Sequence, residues 1–129
     1  MGLEVITVIL TSLMYLGFGL ALFFFPVELL KKAGIFLSDP VGIMEARAFY
    51  GGLEIGLGLF ILTSYFILDL RYGFLLCIFL LFFTLLGRVY GLVVDSAWSN
   101  YFLYAVLMEG SIFLLNLLSF IRMTRKLGQ

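Results

Sequence analysis

Four long apolar stretches fill most of the 129 residues, and only a few polar positions separate each from the next. Each is close to the ~20 residues that carry a helix through about 30 Å of hydrocarbon. Runs this continuous exclude strands, which would show alternation in a half-buried sheet or a membrane barrel. Lipid offers the backbone no hydrogen bonds, so a helix that satisfies its own polar groups is the remaining solution. Composition agrees: 64% of the residues are apolar and 12% charged. A soluble domain of this size has too much surface to cover with so few polar groups.

The pattern predicts an all-α polytopic membrane protein, an antiparallel bundle of four transmembrane helices forming one domain over residues 1–129. The helices are expected at about 4–25, 41–68, 72–94 and 101–121, and short loops set each against its predecessor. The first run resembles a secretory leader only in position. It has no basic start, its apolar length is too great, and Phe23-Phe24-Phe25-Pro26 stands where small residues would mark cleavage. It is expected to be kept as the first span.

Two punctuation signals follow. Val27 to Gly34 predicts one or two helical turns at headgroup level, stopped by Gly34, with a polar loop as the alternative. Ser38-Asp39-Pro40 starts a helix: Asp39 caps and Pro40 fits the first turn. Arg71, Arg122, Arg125 and Lys126 fall on the side of both termini, and Lys31 and Lys32 on the other. That balance predicts both termini in the cytoplasm. Trp98, Tyr101 and Tyr104 then belong to the outer aromatic belt, and Tyr65 and Tyr72 to the inner one.

Several function classes drop out. The formal net charge is zero, which gives no footprint for nucleic acid and no polybasic tail. Cys77 is the one cysteine and histidine is absent. An internal disulfide, a paired-thiol redox centre and the usual zinc, haem and copper sites are thereby excluded, and no cofactor is expected. Met1-Gly2 is followed by Ile6 rather than Ser or Thr, which departs from the myristoylation pattern.

The chemistry lies in the ionisable residues of the spans: Arg47 and Glu54 in the second, Arg88 in the third, Glu109 in the fourth. Each costs at least about 2.5–3.5 kcal/mol at a helix centre, so each needs a partner. Arg47 and Glu54 are seven apart, which returns to one face of an α-helix with Tyr50 beside it. Asn116 shares the face of Glu109. Arg47, Tyr50, Glu54, Arg88, Glu109 and Asn116 therefore define an outer-half polar pocket expected to bind a membrane lipid or small amphiphile, with no catalytic set. In the rival reading the charges are packing glue in an accessory subunit. In a third, Glu54 or Glu109 moves protons in a small membrane enzyme or dimeric transporter. Ala48, Gly52 and Gly56 form a small-xxx-small ridge suited to a second copy or a partner membrane protein. Gly51 and Gly58, on the Glu54 side, are expected to serve core packing.

The stretch Glu45-Ala46-Arg47-Ala48-Phe49-Tyr50-Gly51-Gly52-Leu53-Glu54-Ile55-Gly56-Leu57-Gly58 resembles the hallmark of the domain of unknown function 4345 family. These are small bacterial four-helix membrane proteins, distantly similar to DoxX-like bundles. They carry an arginine late in helix three, as Arg88 stands here. The resemblance covers nearly the whole chain and implies the four-helix fold in a bacterial inner membrane. It implies little about activity.

Overall fold

The computed structural model describes residues 2–127, and helices take up most of them. They are α1 (Leu3–Phe24), α2 (Pro26–Lys32), α3 (Pro40–Ala46), α4 (Leu53–Phe66), α5 (Leu70–Val94) and α6 (Asn100–Leu127); a π-helical segment, Arg47–Gly52, joins α3 to α4. No strand occurs among the described residues. Four stretches are long and apolar enough to cross a membrane: Leu3–Phe24, Pro40–Phe66, Leu70–Val94 and Asn100–Lys126. Leu13, Phe49, Phe66, Phe83, Val93 and Leu107 are each more than half exposed along them. In water so much bared apolar surface drives association; in lipid it is the required outer face.

The chain divides into two compact units, Val8–Thr63 and the remainder, which joins the turns up to Thr7 to the chain from Ser64 onward. In the first, Pro26 breaks the helix. It brings no N–H for the carbonyl four residues back, and it restarts the chain at the first position of α2. A Schellman turn then closes α2, as the glycine signal predicts. Gly34 takes φ +81°, its N–H reaches the Lys31 carbonyl at 3.0 Å, and the Ile35 N–H reaches that of Leu30 at 2.9 Å. Leu30 is buried with Leu22 and Ala46, and Leu29 and Leu37 pack on that cluster. Asp39 caps α3 as expected, its Oδ1 accepting from the N–H groups of Val41 at 2.9 Å and Gly42 at 3.0 Å. A cap of this kind is worth about 1 kcal/mol.

Glycines set how closely α1 approaches the second span. A Cβ on Gly51 would lie 2.6 Å from the Phe23 Cα, one on Gly19 2.7 Å from the Ile55 nitrogen, and one on Gly58 2.6 Å from the Leu16 side chain. Backbone thus rests on backbone at two points. The Ala48, Gly52 and Gly56 ridge takes no part in this contact. Gly56 has nothing within 4 Å of its added Cβ, and Gly52 has only the Arg47 carbonyl at 3.7 Å.

In the second unit α5 and α6 run antiparallel, tied by Arg88 to Glu109 near one end and lining a common groove with Leu75 and Phe120 near the other. Phe74, Cys77 and Leu81 form the buried stripe of α5, and Ala105, Glu109, Ile112, Asn116 and Ser119 that of α6. Both stripes repeat at three and four residues, the spacing of a packed helix face. Asp69 caps α5 by accepting from the Arg71 N–H at 3.0 Å, and Ser99 caps α6 by accepting from that of Phe102 at 3.0 Å. Lone hydroxyls in the spans bond within their own helix: Thr63 to the Leu59 carbonyl, Thr84 to Leu80 and Ser111 to Leu107. Lipid leaves them no other partner.

Three boundaries differ from expectation by two residues or more, the third helix starting at Leu70 rather than 72. The second helix ends at Phe66 rather than 68, because Asp69 must stand outside the α-helical conformation to cap α5. The last helix continues past 121 to Leu127 and carries Arg122, Arg125 and Lys126 on its final turns. Cations there suit the negative end of the helix dipole, and long basic side chains form helix well.

Candidate functional site

Arg88 and Glu109 face each other across α5 and α6 as a side-on pair. The guanidinium donates from Nε to Oε2 at 2.8 Å and from Nη2 to Oε1 at 2.6 Å. Both side chains are mostly covered, at 27% and 11% exposed. Arg88 lies seven residues beyond Leu81 on the buried stripe, which is why α5 aims it at α6. The two parallel bonds are the strong form of this contact and fix the plane of the guanidinium. Arginine has five N–H donors, so a side-on carboxylate leaves three outside its grip, including one on Nη2 and both on Nη1. The Tyr101 hydroxyl, from the first turn of α6, adjoins the same guanidinium.

Arg47 does something the charge pattern did not suggest. Its Nη1 donates to the Phe23 carbonyl and, at 3.1 Å, to that of Phe24. These carbonyls end α1, and the restart at Pro26 removes the N–H donors that a continuing helix would have brought. A cation at the negative end of the α1 dipole is also favourably placed. Gly51, four residues on, lets the segment sit on Phe23 closely enough for the reach.

The π-helical segment also changes the spacing argument. Its i→i+5 bonds, among them the Leu53 N–H on the Ala48 carbonyl, take about one more residue per turn. Seven positions from Arg47 therefore do not return to the face of Glu54. Glu54 lies partly buried in the first turn of α4, and Tyr50 is exposed within the π segment. Asn116 is fully buried on α6, its Nδ2 donating to the Ile112 carbonyl at 2.8 Å. Of the six expected residues, Arg88 and Glu109 are joined directly, and Arg47 is committed to helix ends.

A second polar group was not anticipated. Glu4, at the start of α1 with its side chain 14% exposed, takes Lys126 at 3.2 Å and Arg122 at 3.5 Å. One turn along, the hydroxyls of Thr7 and Ser119 bond at 2.7 Å, both buried. Arg122 and Lys126 are four apart on α6, a spacing that places both on one face, and that was the available signal. Outside the spans, Asp69 is held below the usual aspartate range, first by the side-chain hydrogen bonds of Arg71 and then by its backbone N–H. No cluster of His, Cys, Asp or Glu suited to a metal occurs among the described residues.

These features define an all-α membrane protein with four spans and a charged pair buried between the third and fourth. The chain belongs to the DUF4345 family, a domain of unknown function, which matches residues 4–120. No curated protein and no solved structure matches it.

Proposed function

We propose that this protein binds a lipid or small amphiphile by its anionic group, with Arg88 as the anchor. The observation behind this reading is the side-on grip of Glu109, which occupies Nε and one edge of Nη2. The opposite edge, formed by Nη1 and the second N–H of Nη2, is the end-on fork that matches a carboxylate or phosphate. Glu109 holds the fork still and offsets its charge while no ligand is bound, which keeps an arginine tolerable at this depth. Tyr101 adds a hydroxyl beside the guanidinium. Its place at the start of α6 suits a headgroup whose tail lies along the exposed apolar faces of Val89, Tyr90 and Val93.

Arg47 is left out of this site, because the α1 carbonyls engage it. Native mass spectrometry of the wild type beside Arg88→Lys tests the proposal. Lysine keeps the charge and loses the fork, so the variant should fold, hold Glu109 and release the bound lipid. If neither protein carries a specific lipid, and Arg88→Lys only lowers thermal stability, the pair is packing glue and the reading fails.

A further inference from the structure

At the opposite end of α5 and α6 an open groove of about 220 Å³ is lined by Arg71, Tyr72, Leu75, Phe120 and Thr124. It is below the size of a site for a whole drug-like molecule, yet roomy enough for the upper part of an acyl chain. Its chemistry changes along its length. Leu75 and Phe120 make an apolar floor, while Arg71 and Thr124 stand at the end where the helices leave the membrane. Tyr72 is 64% exposed at that level, the usual station of an interfacial ring.

The charges at this end do not balance. Arg71, Arg122, Arg125 and Lys126 stand there against Asp69 and Glu4. Glu4 is shared by Arg122 and Lys126, and Asp69 grips Arg71 side-on through Nε at 2.8 Å and through Nη2. That grip leaves the end-on edge of Arg71 outside it. Arg125, next to the groove residue Thr124, is exposed and has no ion partner among the described residues. We infer that this groove is a docking site for an anionic phospholipid, its phosphate held between Arg71 and Arg125 and one acyl chain laid over Leu75 and Phe120. The juxtaposition of surplus cations with an apolar groove fits a ligand that is charged at one end only. The site stands apart from the Arg88 anchor: seventeen residues of α5 at 1.5 Å each place it about 25 Å away.

Fluorescence quenching tests it. Trp98 is the one tryptophan, so a Tyr72→Trp reporter in a Trp98→Phe background reads lipid at the groove. Bilayers carrying brominated phosphatidylglycerol are compared with bilayers carrying equal brominated phosphatidylcholine. Each basic residue at a membrane surface is worth roughly fivefold in binding, so the anionic lipid should be preferred on the order of 25-fold. Arg125→Gln, at an exposed position that leaves the fold intact, should remove about fivefold of that preference, and Arg71→Gln with it should bring the two lipids to parity. Thr124→Phe fills the groove, leaves the reporter the one tryptophan, and should lower the preference with both arginines present. Arg88→Lys should leave it unchanged, which separates this site from the other. Equal quenching by the two lipids in the reporter protein, or full preference with the groove filled, overturns the inference.

Discussion

Replacing Gly51 by alanine should destabilise the protein through one contact. The added methyl would stand 2.6 Å from the Phe23 Cα and 2.7 Å from its nitrogen. Carbon atoms rest at about 3.5–4.0 Å, so α1 must back away by about 1 Å. The obstacle is backbone, which no rotamer change relieves. Overpacking of this sort costs about 1–3 kcal/mol. The retreat also carries the Phe23 and Phe24 carbonyls away from Arg47, and hydrogen bonds to a charged group are worth about 1.5–3 kcal/mol. Against this, alanine gains at most about 1 kcal/mol in helix propensity over glycine. The clash wins, with a net loss of about 2–4 kcal/mol. Gly56→Ala is the control, because its methyl meets nothing within 4 Å and collects the propensity term alone. Thermal unfolding in a mild detergent should read both. At about 3–5 °C per kcal/mol for a chain of this size, Gly51→Ala should melt at least 6 °C or so below wild type and Gly56→Ala at or slightly above it. A Gly51→Ala protein that melts with the wild type would refute the close-approach argument. A Gly56→Ala protein that melts well below would mean that a second surface covers the Ala48, Gly52 and Gly56 ridge.

Arg47→Met keeps the stem and removes the donors, so hydrogen exchange should rise in the last turn of α1 and stability should fall by about 1–3 kcal/mol; unchanged exchange there would count against the capping role. Glu109→Gln leaves Arg88 without its counter-charge and should cost about 1–3 kcal/mol, a figure lowered for the partial exposure of Arg88, whereas Thr84→Val should be near neutral in the same detergent melt. The depressed Asp69 carboxyl stabilises the folded form at every pH above its ordinary value near 3.8, and that contribution is lost as pH falls through its lower folded value. Melting temperature should therefore drop more steeply below about pH 4 in wild type than in Asp69→Asn, and parallel curves would remove the Arg71 interaction from the account. A reporter active only in the cytoplasm should work when fused to Gln129 and fail when inserted near Ser96, and the reverse pattern would invert the topology drawn from the lysine and arginine positions.

The spans were legible because lipid imposes one demand, continuous apolar helix, and the runs state it directly. The caps were legible for a local reason. Asp39-Pro40 and Gly34 act through bonds that span two to five residues, so the chemistry and the signal lie side by side. The fate of Arg47 was not legible in the same way. A search for counter-charges at helical spacing overlooks carbonyl oxygens, which every residue has and which matter only where a helix end strips them of donors. Pro26 marked such an end, but nothing in the sequence links it to a side chain more than twenty residues away. The π segment hides for a related reason, since Arg47–Gly52 is composed of ordinary helix residues and a glycine pair. Arg88 and Glu109 were singled out because a buried charge in lipid must be answered, but that they answer each other was not written in the spacing.

The division of the chain has a bearing on how the protein is made. Val8–Thr63 is one uninterrupted stretch, so its helices can meet as soon as the ribosome has passed the second span. The other unit needs residues from both sides of that stretch. Glu4 and Thr7 are synthesised before that stretch, and Ser119, Arg122 and Lys126 well after it. Until α6 is made, the opening turn of α1 therefore holds a carboxylate and a hydroxyl whose partners on that helix do not yet exist. That lock forms only once α6 has been made, and a ribosome stalled before it holds a chain whose first turn still lacks it.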